Sequence, residues 1–307
     1  MKILSNILVT VVIPTYNSEK YIIDTLESVK FQDYRKVEMI ICDDCSTDST
    51  IQLCKEWCAL NENSFVNIEI VINEKNRGIA CNLNSGIKRA KGEWIKVIAG
   101  DDCLAVDCLS LNVDFVTKHH SNIVFSKLKY FVKSIEYAYD PDIDYSFFSK
   151  SMKEQKKKLL RENEIPCTPT AFIKKELIVE MSYWDERFPM MEDYPLWLKI
   201  LENEYELSFM DEFTVYYRQE QSITRNNTRY ISPLYLESLE QFYKKILFKK
   251  YGLNNLMYKW HKNIYFIKCH ICINWFNNKV TKKFRLLAVL MNLFDYYWYK
   301  ERLSQLV

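Results

Sequence analysis

A chain of 307 residues, 48% hydrophobic and 27% charged, has an ordinary globular composition, which excludes collagen-like, disordered and disulfide-scaffold proteins. Its net charge of +2 points to no polyanionic partner, yet that total conceals a split: from Tyr230 to Val307 there are 13 Lys/Arg against 4 Asp/Glu and 18 of the 45 aromatic residues, whereas the first 229 residues carry 29 against 36. No run of about 18 uninterrupted apolar residues is present, so a membrane-spanning helix is not expected. Ten cysteines without an export signal point to free thiols in a reducing cytosol. Cys42-x-x-Cys45 and Cys269-x-x-Cys272 lack the companion ligands of a zinc site and read as small apolar side chains.

The first 105 residues alternate between two periodicities. Ile7–Ile13 is a β-branched run of the kind buried on both faces of a sheet. Pro14-Thr-Tyr-Asn17 breaks it, Ser18 is placed to cap a helix, and Tyr21, Ile22, Thr25, Leu26 and Val29 recur at helical spacing. Val37–Cys42 is the next expected strand, Asp43–Asp48 a turn and cap, Ser49–Leu60 a helix, Val66–Ile72 a strand and 79–90 a helix. Glu93–Ile98 is a fourth strand, ending at Gly100-Asp-Asp102. Repeated β-α-β units predict a mostly parallel sheet with flanking helices, whose ligands bind beyond the carboxyl ends of the strands. Four of the five glycines lie at 78, 86, 92 and 100, in the same stretch, but neither a G-x-G-x-x-G nor a P-loop pattern occurs, which disfavours a dinucleotide fold of the usual kind and a P-loop NTPase. Residues 121–229 are less regular: a charged helix at Glu154–Arg161, a loop at Pro166–Thr170, a strand-to-helix pattern at Phe172–Met181, a helix opening at Met191-Glu-Asp-Tyr-Pro195 and a short strand at Phe213–Tyr217.

Acidic pairs stand at two strand ends, Asp43/Asp44 and Asp101/Asp102. Adjacent carboxylates repel, and a divalent cation with oxygen ligands relieves them; capping or turn acids are the structural alternative. The ordered set Val11–Asn17, Ile41-Cys-Asp-Asp-Cys-Ser-Thr-Asp48, Asn76-Arg-Gly78 with Asn84-Ser-Gly86, Gly92-Glu-Trp-Ile95, Gly100-Asp-Asp102 and Met191–Trp197 resembles glycosyltransferase family 2, the inverting enzymes with a Rossmann-like GT-A fold. The resemblance covers about 8–224. It implies a catalytic domain at 1–229 followed by a basic, aromatic helical extension at 230–307.

The resemblance also implies roles. Pro14, Thr15, Tyr16 and Glu19 belong to a first loop around the nucleotide, with Thr15 touching the base. Asp44, with Asp43 beside it, accepts from the base, usually uracil. Arg77 and Asn84 contact nucleotide or sugar, Asp101 and Asp102 hold Mn²⁺ or Mg²⁺, and Asp193 is the catalytic base. Two departures stand out: Ala99 replaces the first acid of the common Asp-x-Asp-Asp pattern, and Glu220 stands where relatives often have His. Arg218 and Arg225 are then candidates to face the diphosphate, or plain surface charges. The implied substrates are a nucleotide-diphosphate sugar, most commonly a UDP-sugar, and a saccharide or undecaprenyl-diphosphate-linked acceptor in surface-polysaccharide synthesis. The implied location is the cytoplasm, peripheral to the inner face of the membrane. A nucleotidyltransferase is a rival, but it would show a Gly-rich loop with a basic residue after the first strand. A non-catalytic nucleotide-sugar-binding domain is a second, favoured by Ala99. The basic, aromatic extension suits an anionic membrane interface, self-association or simple packing; no nucleic-acid recognition motif accompanies it.

Overall fold

The computed structural model describes residues 6–162, 167–188, 190–219, 230–250 and 256–295, with 161–162 as backbone only. The chain divides into two compact units, Met1–Glu220 and Gln221–Val307. Glu220, Arg225 and Pro166 lie outside the described residues.

The first unit is an eight-stranded mixed sheet. Its parallel half consists of β1 (Val9–Thr15), β2 (Val37–Asp43), β3 (Asn67–Ile72) and β4 (Trp94–Val97), joined by α1 (Ile22–Lys30), α2 (Thr50–Asn61) and α3 (Ile79–Ile87). The register runs Val9↔Val37 to Thr15↔Asp43 between β1 and β2, and Val9↔Trp94 to Val12↔Val97 between β1 and β4. β1 and β2 are buried at every position, as strands covered on both faces are. The second half adds β5 (Cys103–Leu104), β6 (Ile123–Phe131), β7 (Phe172–Lys174) and β8 (Ser208–Arg218), with helices α4 (Cys108–His119), α5 (Met152–Glu162), α6 (Lys175–Glu180) and α7 (Asp193–Glu202). The order across the sheet is β3-β2-β1-β4-β7-β6-β8-β5. β7 is antiparallel to both β4 and β6, while β8 is parallel to β6 and antiparallel to β5.

The strand order reverses between β1 and β4, and the carboxyl ends of those two strands carry Thr15 and the Gly100-Asp101-Asp102 loop. A crevice at such a switch point is where an α/β sheet binds its ligand. One local expectation is corrected. Ser18 does not cap α1 with its side chain: the N-cap position is Tyr21, with no side-chain cap, and Ser18 instead gives its backbone N–H to Thr50 Oγ1 at 2.7 Å. The start of α1 is thereby tied to the neighbouring loop rather than closed on itself.

The second unit is helical. α8 (Pro233–Phe242) runs through a π-turn at Tyr243–Leu247 into α9 (Phe248–Lys250), and α10 (Leu256–Trp275) and α11 (Lys282–Asn292) form a helical hairpin. Phe284 is buried against Tyr230 and Phe276, with ring centroids 5.2 and 5.6 Å away. Among the described residues no helix is long and apolar enough to cross a membrane.

Candidate active site

Two loops leave the carboxyl ends of β1 and β2 and are laced together by backbone donors. Asn17 N–H donates to Ser46 Oγ (2.8 Å), Thr47 N–H to Asn17 Oδ1 (2.8 Å), Glu19 N–H to Asp48 Oδ2 (3.1 Å) and Ser49 N–H to Glu19 Oε2 (2.9 Å). Asn17 holds a left-handed φ of 52°, a conformation asparagine tolerates better than most residues. Pro14 is paired with Cys42 inside the sheet. Tyr16 is 44% exposed at the rim.

Asp43 and Asp44, side by side in sequence, do different work. Buried Asp43 closes its own turn, accepting from Thr15 Oγ1 (2.8 Å), Ser46 N–H (2.8 Å) and Ser46 Oγ (2.6 Å). Asp44 reaches across to the segment after β3. It accepts from Asn73 Nδ2 (3.1 Å), Arg77 N–H (3.0 Å) and Gly78 N–H (2.8 Å). A carboxylate offers about four acceptor positions, so Asp44 retains little capacity beyond holding this segment. Thr15 likewise spends its hydroxyl on Asp43.

Arg77 and Asn84 meet on Glu186. The Arg77 guanidinium pairs with it at 2.9 Å. Asn84 donates to it at 3.0 Å and also exchanges bonds with Trp184, giving to its carbonyl (2.9 Å) and accepting from its N–H (3.1 Å). The amide of Asn84 therefore pins the 184–186 turn to α3. A hollow of about 690 Å³ opens beside them, lined by Asn73, Lys75, Arg77, Lys88 and Glu186 among others.

At the switch point, Gly100 donates its N–H to Pro14 O at 3.1 Å. A Cβ there would come within 2.9 Å of Thr15 Cγ2, so any larger residue would have to displace the Thr15 side chain for this loop to lie on β1. Asp101 and Asp102 follow. Asp102 is buried, its Oδ1 accepts the Arg218 N–H at 2.8 Å, and its carbonyl accepts Thr25 Oγ1 at 2.7 Å. Burial, then the charge of Asp101, raises the Asp102 carboxyl well above the usual range, against opposing help from Arg218 and Lys96. Burial also raises Asp101. This is an anionic pair that the protein leaves only partly compensated. Among the described residues no third ligating side chain completes a cluster. The pair suits a hard divalent cation that takes its remaining oxygens from water and substrate phosphates.

Arg218, at the end of β8, is a buried residue and not a surface charge. Its Nε donates to Asp101 O (2.7 Å) and its Nη2 to Asp24 Oδ2 (2.8 Å), and its guanidinium lies 4.2 and 4.3 Å from the ring centroids of Tyr21 and Phe131. Sequence reasoning left its place open, because the ring-lined slot is built from β6 and α1. Lys96 in β4 was missed. It is fully buried, donates to Pro169 O at 2.8 Å, and burial lowers its pKa to about 8. Asn82 was missed too; it ties α3 to Cys42 O at 2.8 Å, and a polar residue on the apolar stripe of that helix was the available signal.

Asp193 begins α7. Asp193 and Glu192 keep a partly accessible surface, yet the protein around them is dense enough that burial raises both carboxyls; the charge of Glu192 pushes Asp193 further, well above the usual range. A partly open, unusually basic carboxylate can receive a proton.

The chain is similar to known proteins in sequence and in fold. The poly(ribitol-phosphate) beta-N-acetylglucosaminyltransferase TarS of Staphylococcus aureus is 28% identical over 240 residues, covering 76% of this chain but only 38% of that protein. The UDP-Glc:alpha-D-GlcNAc-diphosphoundecaprenol beta-1,3-glucosyltransferase WfaP of Escherichia coli is 28% identical over 218 residues, covering 69% of this chain and 77% of WfaP. The crystal structure of S. aureus TarS 1–349 with UDP-GlcNAc matches in fold, with a TM-score of 0.62 at 24% identity over 92% of this chain and 79% of the other. Residues 10–181 match the model of Glycosyl transferase family 2. With more than half its length matched and the strand-end acids in place, the chain belongs to glycosyltransferase family 2, and its first unit carries a glycosyltransferase domain of the GT-A fold.

Proposed function

We propose that the protein is an inverting, metal-dependent glycosyltransferase that moves a sugar from a UDP-sugar to a hydroxyl of a surface-polysaccharide acceptor. The observation that carries this reading is the Asp101–Asp102 pair at the β1/β4 switch point, Asp101 half-buried and Asp102 buried, with Arg218 as its neighbouring cation. The names of the relatives supply the chemistry: TarS is a beta-N-acetylglucosaminyltransferase, and WfaP uses UDP-Glc to make a β1,3 linkage on a diphosphoundecaprenol-linked sugar. An α-linked nucleotide sugar giving a β product is a single inverting displacement.

Asp101 and Asp102 would hold Mn²⁺ or Mg²⁺, which when bound offsets the charge developing on the leaving diphosphate. Asp193 accepts the proton of the acceptor hydroxyl, an assistance worth roughly 10²–10⁴-fold. Arg218 fixes the Asp101 carbonyl and the Asp102 carboxylate in place. The 15–19 and 43–48 loops, held rigid by their cross-bonds, and the Asp44-anchored segment form the walls for the nucleotide.

The full chain with Mn²⁺, incubated with UDP-Glc and UDP-GlcNAc against a panel of saccharide and lipid-diphosphate acceptors, should give a β-linked product by mass spectrometry and NMR. Chelator should stop the reaction. Asp193→Asn should abolish transfer while keeping UDP binding. An α-linked product would overturn inversion, unchanged activity in chelator would remove the metal, and normal turnover by Asp193→Asn would remove the base.

A further inference from the structure

α11 is apolar on two sides. Its inner side carries Phe284, buried in the second unit. The opposite side carries Leu286, Val289 and Leu290, and the turn that closes the helix adds Leu293 and Phe294; the five are spaced i, i+3, i+4, i+7, i+8 and each is between 47% and 73% exposed. Five apolar residues at that spacing form one continuous stripe. Single exposed leucines are ordinary, but a contiguous stripe marks a surface that something covers. The stripe continues onto the neighbouring helix, where Trp260 of α10, 56% exposed, gives its indole N–H to Phe294 O at 2.9 Å. Leu256 lies one turn before Trp260 and is 76% exposed. At the other end of the hairpin stands Trp275, 75% exposed.

Charge identifies the covering partner. From Leu256 to Asp295 the sequence has seven Lys/Arg and a single acid, Asp295. That acid is 2% exposed and is held on His261 Nδ1 at 2.7 Å. The hairpin therefore shows cations, and no carboxylate, to the outside. Lys282 and Lys283 precede Leu286 by one turn, in line with the stripe, and both are exposed together with Lys279 and Arg285. A second hollow in the same unit, of about 480 Å³, is lined by Lys244, Lys249, Lys259, Phe248 and Asn263. A second copy of the chain would bring like charges together on this face. A polyanion such as nucleic acid would leave the aliphatic stripe in water. An anionic lipid surface satisfies both features, with aliphatic and Trp side chains entering the headgroup–acyl boundary and lysines resting on lipid phosphates.

We infer that the second unit docks on anionic membranes through the α10–α11 hairpin, with the Leu286–Phe294 stripe lying in the interface. This does not depend on the reading of the donor site and is tested without any donor. The full chain is floated with vesicles of phosphatidylcholine alone and of phosphatidylcholine with phosphatidylglycerol, at low and high salt. Binding should be at least about tenfold stronger to the anionic vesicles and should weaken in high salt. The Leu290→Glu/Phe294→Glu double variant should lose it with an unchanged circular dichroism spectrum. If that variant misfolds, Lys282→Gln/Lys283→Gln should weaken binding and flatten its salt dependence. Equal binding to both vesicles, no binding to either, or variants that bind as well as the parent would overturn the inference. So would lipid-free dimers, seen by sedimentation, that the apolar substitutions dissolve.

Discussion

Asp193 and Glu192 begin α7 together, and the charge of Glu192 raises the Asp193 carboxyl above the level burial alone sets. If Asp193 is the base, as proposed, it must be ionised to act, so kcat/KM should rise with pH through a midpoint above the ordinary aspartate value of about 4. Glu192→Gln removes the charge and should move that limb to lower pH; a pH–rate profile with an unmoved limb would refute the coupling. The same shift bears on stability. The folded-state pKa of Asp193 lies above its unfolded value, so its contribution is fully present below the unfolded pKa and is lost as pH rises through the folded one. Asp193→Asn should therefore be inactive yet melt at a higher temperature than the parent near neutral pH, with the difference vanishing in acid. Arg218 gives a contrasting case. Arg218→Lys keeps the charge but loses the fork to Asp101 O and Asp24 and the contact with the two rings; a loss of about 2 kcal/mol is expected in urea unfolding, together with weaker Mn²⁺-dependent UDP binding. The acids at 43, 44, 101, 102 and 193 were legible because carboxylates at strand ends and helix starts leave a mark in the sequence. That Asp43 is occupied by Thr15 and Ser46, and Asp44 by Asn73 and the N–H groups of residues 77 and 78, was not legible, since backbone donors leave no mark and the side-chain donors come from other loops.

The parallel half of the sheet was legible element by element, because β1 is a largely β-branched run, β2 holds the apolar stretch Met39–Cys42, and α1 and α3 keep an apolar stripe. The other half was not. β6, with Lys127 and Lys129 along it and register breaks against β8 on either side of Lys127, has no clean alternation. β5 has two residues, and the insertion of β7 between β4 and β6 is a pairing between segments far apart in sequence. α4, with its weakly segregated faces, also escaped notice. Gly92 was visible as a scarce glycine, but its reason is tertiary. It donates to Thr10 Oγ1 at 2.9 Å, and a Cβ would stand 2.5 Å from the Thr10 backbone nitrogen. β1 lies between β2 and β4 and has nowhere to move. Gly92→Ala should destabilise the first unit by about 1–3 kcal/mol or more, read from urea denaturation; a neutral outcome would mean that the turn into β4 can yield.

The charge split seen in the sequence corresponds to two units with different surfaces. The first places the Asp101 and Asp102 carboxylates at the switch point, where the proposed function would put a cation and a diphosphate. The second exposes lysines and an apolar stripe on its own surface. If the second unit holds the enzyme on a membrane, its effect on rate belongs to acceptors that reside there. For a lipid-diphosphate saccharide carried in anionic vesicles, docking confines enzyme and acceptor to one surface and raises their effective concentration. Exposed charges separated by more than about 8 Å are screened at physiological ionic strength, so added salt should weaken docking first. Initial rates on the vesicle-borne acceptor should then fall steeply with salt, while rates on a water-soluble analogue of the same saccharide change little. Leu290→Glu/Phe294→Glu should reproduce the high-salt behaviour at low salt, slowing the vesicle reaction about tenfold and sparing the soluble one. Equal salt sensitivity of the two reactions would place the electrostatic effect at the proposed donor site around Asp101 and Asp102, and would leave the second unit without a part in delivering the acceptor.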